Sequence, residues 1–304
     1  MKIIDLVELQ QLRYVIAIAE ERNFTRAAQR CFVVQSALSH QVKALEQELG
    51  TALFVRSSRR VELTPAGEAF LPEARASLAA ADRAVTAAAE ATGQIRGSLA
   101  IGVIPTVTAV DVPAVLAHFH AAYPQVDLRM RSGGSDQFMR DIREGRLDLA
   151  FLGLDDETSP QGVAAATIGS GRLVAVLPEH HELVRRRRLT LDDVHGETFI
   201  DFPAGSPGRL QSDKAFERAG LARRVAFEAS TPQFMLALVS RGLGTCLLPS
   251  GVLPPDTSLL TVPIVDGPVR TEYMAWDQFN PSPAARTFVD HVLSSTASSR
   301  SDQS

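Results

Sequence analysis

The stretch VVQSALSHQVKALEQELG, residues 33–50, decides how the N-terminal part of this chain is organised. Four apolar residues at spacings of four, three and four predict the buried stripe of a helix: Leu38, Val42, Leu45 and Leu49. Gly50 follows them and is typical of a residue that ends a helix. The opposite face carries groups that donate and accept hydrogen bonds: Gln35, Ser36, Ser39, His40 and Lys43. This face is therefore suited to reading another molecule.

Two shorter helical patterns precede this stretch. The second of them follows from NFTRAAQRC, with Thr25 expected at its N-cap. Only residues 32–34 separate it from the third helix, which matches a helix-turn-helix. Glutamine and serine can reach base edges in the major groove, while lysine and arginine pair with phosphates. The next run, LFVRSSRRVELT at 53–64, predicts a hairpin wing with its arginines toward DNA, although a plain surface hairpin has the same pattern.

Charge and composition narrow the class of protein. The chain has 304 residues and a net charge of −4, yet residues 22–60 hold seven basic residues against two acidic ones. A basic unit on an acidic body suggests a polyanion partner for the N-terminus alone, and a solvated basic face is the alternative. The N-terminus has no secretory h-region and no run is long enough to cross a membrane, so we expect a cytoplasmic protein. Cys31 and Cys246 fall in different predicted domains, which argues against a disulfide.

About sixty residues, from LQQLRY to GEAFL, closely resemble the DNA-binding region of LysR-type transcriptional regulators. The motifs that carry the resemblance are FTRAA, QSALSHQVKALEQELG and LFVRSSRRVELTPAGE. It implies that four residues face bases: Gln35, Ser36, Ser39 and His40. It implies that five face phosphates or the groove edge: Thr25, Arg26, Lys43, Arg56 and Arg59.

This sequence departs from the family's usual pattern at three positions. Val34 stands where the family usually has a serine that would cap the recognition helix, and losing such a cap costs about 1 kcal/mol. Ser36 and His40 stand where proline and arginine are common. The preferred DNA sequence is therefore expected to differ from the family's commonest one.

A long helix is predicted after the wing. Thr64 is the expected N-cap, Pro65 the first helical residue and Gly93 the end. Its alanine-rich apolar stripe suits close pairing of two helices, and its length, roughly 42 Å, exceeds that of a helix inside a small domain. The resemblance implies a dimerisation helix, while a spacer lying on its own domain is the alternative.

The remainder alternates strand-like and helix-like runs, which predicts βαβ units and a largely parallel sheet. The resemblance implies an effector-binding domain of two α/β lobes, similar to periplasmic binding proteins. The expected multidomain α/β protein thus has a winged helix-turn-helix (1–63), a linker helix (64–92), an effector domain (93–293) and a disordered tail (294–304). Lobe I is expected at 93–165 and 270–293, and lobe II at 166–269.

Four strand-to-helix junctions in this body carry hydroxyls or glycine. Free N–H groups of helix N-termini and hydroxyls favour a small ligand with a carboxylate or similar anion, although each junction singly is more often a plain helix cap. In the family these positions line the cleft. The candidate effector residues are Thr106, Thr108, Gly134, Ser135, Phe202, Pro203, Ser206, Ser230 and Thr231.

Enzyme chemistry has little support in the sequence. AGSPG at 204–208 lacks the first glycine of a nucleophile elbow, and no acid and histidine can be assigned to it. His118 and His120 are two apart on a helix and do not form a metal site, so no metal or cofactor is expected. Cys246 lies in an apolar run and is expected to be inert core.

The resulting hypothesis is a LysR-type regulator that acts as a homodimer or homotetramer on double-stranded promoter DNA. A small-molecule effector would alter lobe closure and with it DNA bending, and RNA polymerase would be a further partner if the protein activates transcription. A metabolite-sensing module that does not regulate DNA, and an enzyme, are the alternatives.

Overall fold

The computed structural model describes residues 7–56, 61–90 and 95–301. They form two compact units, essentially residues 7–90 and 95–301. No helix in these ranges is both long enough and apolar enough to cross a membrane.

The N-terminal unit is a helix-turn-helix followed by a hairpin and a long helix. Its elements are α1 (Leu9–Glu21), α2 (Phe24–Arg30), α3 (Gln35–Leu49), β1 (Phe54–Arg56), β2 (Val61–Leu63) and α4 (Pro65–Glu90). Three residues of the predicted stripe on α3 are completely buried: Leu38, Val42 and Leu45. Gly50 ends the helix with a φ of +68°, a conformation that favours glycine.

The caps of α2 and α4 test two local predictions. The N-cap of α2 is Asn23, whose side chain accepts hydrogen bonds from the amides of Thr25 (2.9 Å) and Arg26 (3.0 Å). The expectation that Thr25 caps this helix is therefore wrong, because asparagine lies two residues earlier and satisfies the free N–H groups. Thr64 does cap α4, since its Oγ1 accepts a hydrogen bond from the amide of Gly67 at 3.0 Å.

The hairpin is tied to the recognition helix through one carboxylate. Glu46 of α3 accepts hydrogen bonds from the amides of Leu53 (2.8 Å) and Phe54 (3.1 Å), where β1 begins. Strands β1 and β2 pair antiparallel, with Phe54 opposite Leu63. The position of the wing is thus fixed relative to α3 by hydrogen bonds as well as by packing.

The second unit consists of two α/β lobes. Its strands are β3 (Gly97–Val103), β4 (Val126–Ser132), β5 (Leu149–Asp155), β6 (Ala164–Arg172), β7 (Val174–Leu177), β8 (Thr198–Asp201), β9 (Arg224–Glu228), β10 (Cys246–Leu248), β11 (Leu260–Pro263) and β12 (Val269–Trp276). Its helices are α5 (Val112–Ala122), α6 (Ser135–Arg143), α7 (Leu191–Val194), α8 (Pro207–Arg218), α9 (Pro232–Val239) and α10 (Pro283–Ser301).

Each lobe is built on a mixed sheet. Lobe I has the strand order β4-β3-β5-β12-β6, in which β12 runs antiparallel to both neighbours because it returns the chain from lobe II. Lobe II has β10-β7-β11 and β8-β9, and a bridge between Phe199 and Thr245 joins the two. The sheets are therefore less parallel than the alternating pattern predicted. Helices α5 and α10 pack on lobe I, with the rings of Phe119 and Phe288 5.0 Å apart.

Two predicted boundaries are wrong. Strand β6 pairs with β12 along its whole length to Arg172, so the first crossing between lobes lies near residue 173 and not near 166. This edge strand is made of small and polar residues, and Ile168 is its one buried residue, so it has little hydrophobic signal. Helix α10 continues to Ser301, past the expected start of a disordered tail at 294, while 302–304 lie outside the described residues.

Candidate functional sites

The polar face of α3 is available to a partner within the N-terminal unit. Gln35, Ser36, His40 and Lys43 are exposed and Ser39 is half-buried, on the surface beside the buried stripe. At 3.6 residues per turn these five positions cover an arc of about 140°. The structure therefore brings all five predicted residues to one side of the helix.

The N-terminus of α3 is apolar. Val34 occupies the N-cap with an extended backbone and makes no side-chain cap, as expected from the missing serine. Phe32, in the preceding turn, is 96% exposed and has a φ of +55°, which is unusual for a residue with a side chain. Sequence reasoning did not single out Phe32, because apolar residues in a tight turn between helices usually contribute to the core.

The basic residues of α2 lie close to acidic residues of α1. Thr25 and Arg26 are exposed on α2, but the Arg26 Nε lies 3.4 Å from a carboxylate oxygen of Glu21. Glu20 pairs with Arg30 at 2.6 Å and with the buried Arg75 of α4 at 2.9 Å. Acidic residues of α1 thus neutralise part of the basic surplus counted from 22–60.

The two wing arginines lie at and beyond the limit of the described residues. Arg56 is the last residue of β1, and its backbone alone is described. Arg59 lies outside the described residues. Their proposed contacts with DNA therefore remain predictions from the sequence.

The second unit contains a cavity of about 240 Å³ between the two lobes. Lobe I contributes the ends of β3 and β5 and the start of α6, and lobe II contributes the segment before α8 and the end of β10. Seven of the nine predicted effector residues line it: Thr106, Gly134, Ser135, Phe202, Pro203, Ser206 and Ser230. Most of the predicted strand-end junctions therefore meet at one cavity, and their role in binding an effector stays a prediction.

Thr108 and Thr231 are not among the residues that line this cavity. Thr231 caps α9, and its Oγ1 accepts a hydrogen bond from the amide of Phe234 at 3.4 Å. Thr108 donates from Oγ1 (2.8 Å) and from its amide (3.0 Å) to the carboxylate of Glu272, which also accepts from the amide of Ala109 (3.1 Å). An internal carboxylate thus already occupies the donors that we expected to bind a ligand anion at this junction.

Both units match families of known proteins. Residues 9–68 match the family described as "Bacterial regulatory helix-turn-helix protein, lysR family". Residues 92–297, more than half of the chain, match the LysR substrate binding domain. The chain belongs to the LysR family. It is a LysR-type DNA-binding transcriptional regulator with an effector-binding domain.

Individual relatives support the same assignment along the chain. A probable hydrogen peroxide-inducible genes activator of Mycobacterium avium is 36% identical over 81% of this chain and 79% of its own length. The HTH-type transcriptional regulator YnfL of Escherichia coli is 32% identical over 94% of this chain and 98% of its own. These relatives are transcriptional regulators and not enzymes.

Solved structures of full-length LysR-type proteins also match. A full-length OxyR variant from Pseudomonas aeruginosa has a TM-score of 0.73 at 25% identity and covers 95% of this chain and 94% of its own. CbnR in complex with its target DNA has a TM-score of 0.66 at 26% identity and covers 95% of this chain and 100% of its own.

Among the further lining residues of this LysR-type cavity, which the sequence did not single out, are Gly153, Gln211 and Arg270. The carbonyl of Gly153 accepts hydrogen bonds from Ser135 Oγ (3.0 Å) and from Gln211 Nε2 (3.2 Å), so strand β5 of lobe I is bonded to α8 of lobe II. A signal for Arg270 did exist. Arg270 and Glu272 occupy alternate positions on the buried face of β12, where charged residues are rare.

Proposed function

We propose that this LysR-type regulator reads promoter DNA with the polar face of α3 and senses a small anionic metabolite in the cavity between its lobes. Binding of the metabolite changes lobe closure and thereby DNA binding or bending. The observation that carries the sensing half of the proposal is the interlobe cavity, to which both lobes contribute hydroxyls and a helix N-terminus.

DNA recognition rests on the division of α3 into two faces. The buried stripe holds the helix on its unit, while the amide and hydroxyl groups of Gln35, Ser36 and Ser39 project on the other side. Such groups form the hydrogen bonds that distinguish base pairs in the major groove, and the nearby Lys43 supplies charge for phosphates. Because the target is chromosomal promoter DNA, the protein acts in the bacterial cytoplasm.

Helix α4 supplies the surface for a homodimer. Ala74 near its start is buried in its own unit, whereas Val85 farther along is 62% exposed and Ala88 is also exposed. The apolar stripe thus continues onto a stretch that its own unit does not cover. Pairing of two such helices places two recognition helices on two half-sites, and pairs of dimers form the homotetramer. An activating form also contacts RNA polymerase.

Lobe closure is coupled to the cavity through α8. Gln211, Lys214 and Arg218 lie on one face of this helix, and all three contact lobe I. Lys214 Nζ lies 2.8 Å from Asp155 Oδ2, and Arg218 Nη1 lies 2.9 Å from Glu157 Oε1. The start of the same helix lines the cavity. A ligand that contacts this end therefore favours one arrangement of the lobes over another.

The DNA half is tested by gel shift on the region upstream of the protein's own gene at a fixed salt concentration. The double substitution Gln35→Ala with Ser39→Ala should reduce the preference for this DNA over scrambled duplex by at least about tenfold, since a good base contact is worth about 1–3 kcal/mol. Dimerisation should be preserved. Gln41→Ala, on an exposed position of α3 away from this face, is the matched control. Unchanged preference in the double variant contradicts the proposed reading face.

The sensing half is tested with a promoter reporter. Ser230→Trp places a large side chain in the cavity and should make the reporter insensitive to growth conditions that change the wild-type output. The same variant should retain its gel shift. A normal response from a filled cavity contradicts effector binding at this site.

A further inference from the structure

Arg270 is a buried cation in the wall of the interlobe cavity. Its side chain is 6% exposed, and it enters from the returning strand β12. Its guanidinium lies against Gly153 of β5, where a Cβ atom would come within 2.3 Å of the arginine Nε. The glycine thus provides the space that lets the guanidinium reach the cavity.

Two nitrogens of this guanidinium lack a hydrogen-bond partner in the part of the chain that the structure describes. Among the described residues, nothing accepts a hydrogen bond from its Nε or Nη2. Glu272 Oε1 is 3.7 Å from Nη2, beyond a normal hydrogen bond, and the Glu272 carboxylate already accepts hydrogen bonds from Thr108 and Ala109. Burial lowers the pKa of Arg270, and the neighbouring Glu272 only partly opposes that shift. A buried cation in this state has donors available for an anion from outside.

The rest of the wall restricts the ligand. Arg270 carries the only charge among the described lining residues, and most of the others are apolar, including Ile104, Leu173, Phe202, Leu247 and Leu248. The Oγ of Ser206 is buried and makes no hydrogen bond to a described residue, so it is available as a second polar group. The cavity of 240 Å³ equals the space of about eight liquid water molecules.

We propose that the effector is a small monocarboxylate with an apolar body, and that Arg270 binds its carboxylate. This inference rests on the proposed effector cavity and adds the anchoring residue and the ligand class. A planar guanidinium with two free donors matches a carboxylate in two-point hydrogen bonding. A second anionic group would be left without a counter-charge against apolar walls, which disfavours dicarboxylates and phosphorylated compounds.

The test uses the full-length protein and matched pairs of probes. The monocarboxylate probes are butyrate, isovalerate and benzoate, and each is compared with its neutral amide. Phthalate and inorganic phosphate represent the disfavoured dicarboxylates and phosphorylated compounds. Binding is measured by melting temperature and by calorimetric titration. At least one monocarboxylate should raise the melting temperature and bind at least about tenfold more tightly than its amide. Arg270→Gln should weaken that binding by about ten- to a hundredfold, and Arg270→Lys should have an intermediate effect. Arg224→Gln, at an exposed position of β9, is the matched control and should bind like the wild type.

A stability measurement separates ligand binding from a structural role. Without ligand, Arg270→Gln should melt below the wild type, because it leaves the buried Glu272 carboxylate without the cation 3.7 Å away. The measurement that reports ligand binding is therefore the rise in melting temperature on adding the acid, which Arg270→Gln should lose while it still unfolds in one cooperative transition. Loss of that cooperative transition without ligand would assign Arg270 to the fold. The proposal is also overturned if amides bind as well as acids, if none of the acids binds, or if Arg270→Gln binds the acid normally. If amides bind as well as acids and Ser230→Trp abolishes that binding, the carboxylate proposal fails but the effector cavity is supported. If the reporter responds normally in Ser230→Trp, the proposed effector cavity itself is refuted.

Discussion

At the scale of single residues, the two cysteines bear on what kind of signal this protein detects. Cys246 is completely buried in β10, and burial raises the pKa of its thiol far above the usual range. Cys31, in the other unit, is half-buried, and burial likewise raises its pKa. The thiolate is the form that reacts with peroxides, and both thiols are held protonated at neutral pH. Neither thiol therefore has the thiolate character that reaction with peroxide requires.

We predict that hydrogen peroxide leaves DNA binding unchanged. In gel shifts, the wild type with and without a modest excess of peroxide should give the same affinity. Cys246→Ala serves as the control and should behave like the wild type in both conditions. A peroxide-dependent change that Cys246→Ala abolishes would contradict this prediction and make the buried thiol a sensor.

At the scale of elements, α8 holds the lobes together through contacts spaced along one of its faces. The central contact is the ion pair between Lys214 and Asp155 at 2.8 Å. Burial acts to raise the pKa of Asp155, but hydrogen bonds from Lys214, Thr158 and the amide of Glu157 outweigh it, and the pKa is lowered overall. A carboxylate with a lowered pKa stays charged below its usual titration range, so its stabilising contribution is fully present above the usual pKa and is lost as pH falls through the lowered value. The ion pair is thus insensitive to pH near neutrality.

Lys214→Met should shift the equilibrium toward open lobes. The pair is partly exposed, so its loss is worth about 0.5–1 kcal/mol, which corresponds to roughly a two- to fivefold change in the ratio of closed to open protein. Pulsed electron-spin measurements of a distance between labels on the two lobes report this ratio. Lys214→Arg keeps the charge and is the control. In a double-mutant cycle, Asp155→Asn should have little further effect once Lys214 is replaced, and full additivity would exclude the proposed coupling.

The same elements show how far the sequence determines the structure. The stripe of α3 and the junctions before α6 and α8 are governed by local spacing, and the structure contains them as expected. The crossing between lobes was expected too early, near 166, because strand β6 pairs with β12, about a hundred residues away, and its own residues carry little hydrophobic pattern. Thr108 was assigned to the ligand because no local pattern reveals that Glu272, on that same distant strand, uses its donors. Both errors therefore arise from contacts with β12, which is distant in sequence and which local spacing does not reveal.

At the scale of the whole molecule, the charge is divided between the two units. The basic surplus of the N-terminal unit is reduced where Glu20 and Glu21 pair with Arg26, Arg30 and Arg75. These pairs lie on the helices that support α3. The exposed positive charge of α3 itself is Lys43, for which no ion pair is present among the described residues, and the exposed Glu48 lies farther along the same helix. The electrostatic contribution to DNA binding should therefore depend strongly on a few exposed side chains.

Lys43→Gln tests this dependence through the effect of salt on DNA affinity. Each phosphate neutralised by the protein contributes about −0.9 to the slope of log affinity against log salt. A dimer with one Lys43 contact in each protomer should therefore lose about 2 units of slope when both lysines are replaced, and affinity should fall to a similar extent for specific and scrambled duplex. Arg224→Gln removes an exposed charge from the effector domain and should leave the slope unchanged. An unaltered slope in Lys43→Gln would show that α3 does not approach the phosphates at this position, whereas a loss confined to specific DNA would make Lys43 a base-reading residue.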